Sequence, residues 1–150
     1  MEIRRTDLSE PEVAALIELH TREMFEGSPP GTNHALDLSA LQGPDIEVFA
    51  AWDGPRLLAV GALRQHESFA EIKSMRAHPE ARGIGAGRAM LTHLVERARI
   101  LGYREVKLET GSGPLFEPAQ GLYRSFGFSP CSGFADYQPG EFNKLFSLEI

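Results

Sequence analysis

Arg82, Gly83, Gly85 and Gly87 stand together in the stretch EIKSMRAHPEARGIGAGRAMLTHLVERARIL at 71–101. They fall between a segment of strand character and a long amphipathic segment of helical period. The first backbone N–H groups of a helix lack intrahelical partners, and the helix dipole places partial positive charge there. Glycines leave those groups open to a ligand, and Arg82 adds a full charge with a two-pronged donor. The chemistry such a loop suits is the binding of a phosphate or pyrophosphate.

Several phosphate loops compete. A Walker A loop needs Gly-Lys-Ser/Thr at its end, and no lysine follows these glycines. A dinucleotide fingerprint needs a third glycine where Arg88 stands, and HPEAR intervenes between strand and loop. Glu109 nevertheless lies at a suitable distance for a ribose contact, which keeps nucleotide binding as an alternative. An ordinary glycine-rich turn that opens a helix is the plainest reading.

Two carboxylates belong to the same constellation. Glu71 and Glu109 fall on segments expected to be neighbouring strands, where either could take a proton directly or through water. Either could instead pair with Lys73 or Arg104 on a solvated face. Arg76, Arg82 and Arg88 surround the glycine loop with positive charge inside an acidic chain. His20, His66, His78 and His93 have no metal-ligand spacing, and no metal is expected. Cys131 reads as a small packed thiol.

The elements that must hold these groups fit one domain spanning all 150 residues, with a formal net charge of −6. That charge argues against a nucleic-acid surface. A single cysteine suits a reducing compartment, and no apolar run approaches a membrane span. With no signal-peptide pattern at the N-terminus, a cytoplasmic protein is expected.

In chain order, a strand is expected at residues 3–7. A helix follows, capped by Asp7 or Ser9, with Val13, Leu16, Ile17, His20 and Met24 on one face and an end near Gly27. SPPGTN at 28–33 is a loop leading to a short helical piece near 39–42. Residues 46–52 and 56–65 read as a hairpin closed by Asp53 and Gly54. Residues 71–77 form the next strand, and the helix after the glycine loop buries Met90, Leu91, Leu94, Val95 and Ala98, with Gly102 ending it. Residues 106–110 complete a β–α–β unit with parallel strands. A short helix at 118–126, a strand at Phe128 and a strand at 142–149 close the chain. The fold class is α/β, a mixed antiparallel and parallel sheet flanked by helices.

Arg82-x-x-Gly85-x-Gly87 between strand and helix, followed by LYRSFGF at 122–128, resembles the two signature motifs of the GNAT superfamily of N-acetyltransferases. The element order agrees along nearly the whole chain. EIKSM, LETG and SPP…HALDL resemble a branch of small bacterial members, with Ser74-Met75-Arg76 where many relatives carry an Arg-Met-Tyr-like triplet. The resemblance implies direct transfer of an acetyl group from acetyl-CoA to a primary amine, a small polar one by preference. A CoA-binding sensor without turnover, or a protein N-terminal or lysine acetyltransferase, are the alternatives. A homodimer is left open.

The resemblance also implies roles. Met75, Arg76 and Ala77 would hold the pantetheine arm through their backbone. Arg82, Gly83, Ile84, Gly85, Ala86, Gly87 and Arg88 would hold the pyrophosphate. Tyr123 would protonate the departing sulfur, and Glu71 or Glu109 would serve as base. His34 and Asp37 on the loop after the first helix, with Phe134, Asp136 and Tyr137 on a late loop, would wall the acceptor pocket.

Overall fold

The structure is a computed structural model of the 150-residue chain and describes residues 1–34 and 36–150. Seven strands form one sheet in the order β1-β2-β3-β4-β5-β7-β6. They are β1 (Glu2–Arg5), β2 (Ile46–Asp53), β3 (Arg56–Gln65), β4 (Ala70–Ala77), β5 (Glu105–Thr110), β6 (Ser129–Pro130) and β7 (Lys144–Glu149). The helices are α1 (Pro11–Glu26), α2 (Ala86–Ile100) and α3 (Glu117–Phe126). All pairings are antiparallel except β4 with β5, which is parallel as the β–α–β reading expected.

Alternation along the strands sorts the core into two layers. Val48, Ala50, Trp52, Leu57, Val60 and Ala62 face α1 and bury its Val13, Leu16 and Ile17. Phe49, Leu58, Leu63, Ile72, Val106 and Leu108 face the other way, against Met90, Leu91, Leu94 and Val95 of α2. Each of the Val, Leu, Ile, Phe and Met side chains among them contributes about 1.5–3 kcal/mol on burial. α2 lies so close that a Cβ on Gly61 would meet Met90 Cγ at 2.8 Å.

Several boundaries differ from the expectation. α1 is capped by neither Asp7 nor Ser9. Its N-cap is Glu10, without a side-chain cap, while Pro11 occupies the first turn. Asp7 Oδ1 accepts from the backbone N–H and hydroxyl of Ser9 at 3.0 and 2.6 Å, closing its own turn. Gly102 does turn the chain after α2, with φ +93° and its N–H on the carbonyl of Arg99. Phe128 is a buried core residue immediately before β6, not part of it.

β4 carries a device that no sequence pattern announced. Val60 pairs with Arg76 but Ala62 with Lys73, so β4 holds one residue more than β3 between those rungs. The surplus forms a bulge at Ser74, whose φ is +51°, and it bends the strand where its edge turns toward the glycine loop. A non-glycine residue in that conformation costs about 1–2 kcal/mol.

Candidate active site

The parallel ladder between β4 and β5 is short. Ala70, Glu71 and Ile72 pair with Val106, Lys107 and Leu108, and there the pairing stops. β4 continues to Ala77 and β5 to Thr110. Between these unpaired ends opens a cavity of about 640 Å³. It reaches from the glycine loop, past Tyr123 and the bulge at Ser74, to Glu109 and His34.

The loop at one end is built by short-range bonds. His78 Nδ1 accepts the N–H of Glu80 at 3.1 Å, and a single 3-10 turn at Pro79–Ala81 delivers the chain to Arg82. Gly83 and Gly85 both take left-handed φ, +83° and +84°, which a glycine adopts without strain. Gly85 is the N-cap of α2, and no side chain caps that end. A Cβ on either glycine would meet nothing within 4 Å, so the space above the loop is open. Arg82, Ala86, Gly87 and Arg88 line it with them, and Arg88 Nη2 donates to Ser125 Oγ at 2.5 Å, tying the loop to α3. Ile84 is 52% exposed and its side chain points away, which leaves only its backbone for a ligand.

The floor at the far end lies on the α1 face of the sheet. Glu71 is 1% exposed and is held by His66 Nε2 at 2.8 Å and Lys73 Nζ at 3.4 Å. Tyr137 accepts from Lys73 at 2.6 Å, and its hydroxyl also bonds Glu71. Burial, with Glu71 adding to it, pushes the Tyr137 phenol well above its ordinary value, so it stays protonated. Lys73 Nζ also donates to the carbonyl of His34 at 3.2 Å. The Glu71–Lys73 pair is therefore a buried network and not the solvated face that the spacing permitted. Glu71 has its acceptor capacity largely committed.

Glu109 stands differently. Its Oε2 lies 2.6 Å from His34 Nδ1 and 3.1 Å from Asn143 Nδ2, and its side chain is 11% exposed. Burial holds its carboxyl above the ordinary range, against the opposite pull of His34, Lys73 and Asn143. Asn143 was missed by sequence reasoning; it also donates to the carbonyl of Thr32 at 3.0 Å, and nothing in its local sequence marks that bridge. Tyr123 is 6% exposed, lines the cavity from α3 and packs against Phe128. Burial raises its phenol to about 12.

The other expected residues divide. Met75, Arg76 and Ala77 line the cavity along the freed end of β4. Arg76 is already paired, its Nη2 2.5 Å from Glu23 of α1. Of the five residues expected to wall the acceptor pocket, His34 lines the cavity and the other four do not. Asp37 lies off the cavity, and its Oδ1 accepts the N–H of Ala40 at 2.8 Å in the turn after α1. Asp136 is exposed to solvent and also does not line it. Phe134 and Tyr137 are buried in a small cluster with Leu145 and do not line it either.

His20, on the helical face noted in the sequence, reaches the cavity beside Met24. Burial first, and Arg76 second, lower its pKa to about 4. The unfolded chain takes up a proton near pH 6.5 while the native state refuses it until about pH 4, so stability falls as pH drops through that window. Between pH 7 and pH 5 this amounts to about 2 kcal/mol. Urea unfolding at both values should show the wild type losing that much more than His20→Gln; equal losses would remove His20 as the source.

Comparison with known proteins agrees with this arrangement. The sequence pattern of the Acetyltransferase (GNAT) family matches residues 13–128. The chain is 43% identical over 138 residues to the uncharacterized N-acetyltransferase YsnE of Bacillus subtilis, covering 91% of each chain. It is 34% identical over 149 residues to the uncharacterized N-acetyltransferase YedL of Escherichia coli, covering 99% of this chain and 94% of the other. Among solved structures, an acyl-CoA N-acyltransferase candidate from Klebsiella pneumoniae superposes with a TM-score of 0.80 at 25% identity, over 99% of this chain and 96% of that one. A GNAT acetyltransferase from Elizabethkingia anophelis, solved with acetyl-CoA bound, shares the fold at a TM-score of 0.71 and 15% identity, over 99% and 97%. The split strands, the glycine loop and these matches lead to one conclusion: the chain belongs to the GNAT acetyltransferase family and is an N-acetyltransferase.

Proposed function

We propose that the chain moves an acetyl group from acetyl-CoA directly to a small, polar primary amine. The observation that carries this reading is the gap where β4 and β5 stop pairing, with open space above Gly83 and Gly85 at one end and Glu109 at the other. Acetyl-CoA is the ligand proposed for that gap. The uncapped start of α2 with Arg82 would hold its pyrophosphate, and the freed backbone of Met75, Arg76 and Ala77 would hold the pantetheine arm as an added strand.

A backbone N–H of Met75 or Arg76 serves the oxyanion that forms at the thioester carbonyl. Tyr123 gives its proton to the departing sulfur. The acceptor amine loses its proton at the Glu109 end, because Glu71 is committed to His66, Lys73 and Tyr137. The negative charge of Glu109 favours a cationic amine. Asn143 and the segment at 28–34 close over that end, which suits a small molecule better than a protein tail.

The test is binding followed by turnover. Arg82→Ala should weaken CoA by about 10- to 150-fold in Kd, the equivalent of about 1.5–3 kcal/mol for a charge-assisted hydrogen bond. Calorimetry with unchanged affinity would overturn the loop assignment. CoA binding without thiol release across a panel of amines would instead favour a sensor domain.

A further inference from the structure

Resting on the transferase reading above, we propose that His34, oriented by Glu109, is the group that takes the proton from the acceptor amine. The two residues are 75 apart in sequence, yet His34 Nδ1 and Glu109 Oε2 are 2.6 Å apart. With Glu109 ionised, its carboxylate can only accept, so Nδ1 donates to it, and in the neutral ring Nε2 then carries the lone pair. Nδ1 is the ring nitrogen that meets Glu109, and Nε2 is the one left to face the acceptor amine. His34 lines the cavity with its side chain 36% exposed, against 11% for Glu109, so the imidazole is the more accessible of the two.

The surroundings fix the ring from several elements. Asn143 Nδ2 binds both Glu109 Oε2 and the carbonyl of Thr32, clamping the segment that carries His34 onto β5. Lys73 of β4 holds the His34 carbonyl, and the Tyr137 ring lies 4.9 Å from the imidazole at 55°. Glu71 faces the same group through Lys73 and Tyr137. Glu109, Lys73, Glu71 and Tyr137 are therefore the titratable groups that face the imidazole.

The protons balance as follows. The acceptor arrives as an ammonium, and Nε2 takes one proton, giving an imidazolium that returns it to solvent. The neutral nitrogen attacks the thioester carbonyl, and the carbon–sulfur bond breaks. Tyr123 protonates the sulfur, and the second nitrogen proton, taken by Nε2, replaces the one Tyr123 gave. One proton is released for each amide and thiol formed.

The dyad is tested on the full chain with acetyl-CoA and a panel of free amino acids and short diamines, reading thiol release. In wild type, kcat/KM should rise with pH through one ionisation. His34→Gln should lose that ionisation and turn over about 10²–10⁴-fold more slowly, with CoA affinity unchanged and partial rescue by added imidazole. Glu109→Gln should keep the ionisation while lowering turnover, because the ring loses the partner that orients it. Full turnover in His34→Gln overturns the proposal, as does an ionisation that vanishes only in Glu109→Gln. Proton-detected nitrogen NMR of the wild type with CoA bound guards against misfolded variants: an Nε2–H tautomer for His34 would also overturn it. Turnover with no amine of the panel would overturn the transferase reading and the dyad with it, a result distinct from robust turnover that ignores His34.

Discussion

Tyr123→Phe should lower kcat by about 10²–10⁴-fold and leave folding and acetyl-CoA affinity intact. The phenyl ring is preserved, so the packing against Phe128 and the buried position on α3 survive the change. What disappears is one hydroxyl on a residue that lines the cavity. A phenol raised to about 12 by burial remains a proton donor at every working pH. The same dry surroundings disfavour a free thiolate, so the proton is needed where it is held. Tyr123 therefore adds no ionisation of its own to the rate profile in the working range. Single-turnover measurement, with chemistry limiting, checks the prediction; wild-type rates would remove Tyr123 from the mechanism.

Gly85→Val should abolish measurable CoA binding, an effect of more than about 100-fold, and should also lower stability. At φ +84° a β-branched side chain is strained by its own backbone. Its methyls would also enter the open space above the loop, where the wild type has nothing within 4 Å. The two effects separate in Gly85→Asn, because asparagine tolerates the left-handed region. That variant should recover most of the thermal stability and remain deficient in CoA binding by calorimetry. If Asn restores affinity along with stability, the loop is a turn and not a phosphate cradle.

The sequence announced what depends on local order. The hairpin of β2 and β3, the parallel crossover from β4 to β5 and the buried stripe of α2 all follow from period and turn chemistry over a few residues. The glycine loop was legible as the turn that opens α2, because Gly83 and Gly85 supply the left-handed φ that this turn takes. The far end of the cavity was not. Lys73 looked like a surface partner for Glu71, but Tyr137, 64 positions away, covers it and turns the pair into a buried network. Asp37 looked like a pocket wall, but a turn within three residues claims its carboxylate. The meeting of His34, Glu109 and Asn143 depends on three separate segments converging, which no spacing encodes. Ser74 hides in the same way, since no local pattern distinguishes a serine at positive φ from any other serine in a strand.

The short ladder between β4 and β5 has a mechanical side. Three rungs join the four-stranded antiparallel half of the sheet to β5, β7 and β6. This is a seam, and the β2–β3 and β5–β7 pairings on either side of it are each longer. In the binding mode proposed above, a pantetheine arm bonded to the free edge of β4 would extend the hydrogen bonding past the last rung. The ligand would then act as a splint beside the seam, and saturating CoA would raise the free energy of opening the sheet by RT ln(1 + [L]/Kd). Amides of residues 73–77 would be the ones to gain protection from hydrogen exchange. Holding the substrate and holding the two halves of the sheet together would become one task for the same strand edge.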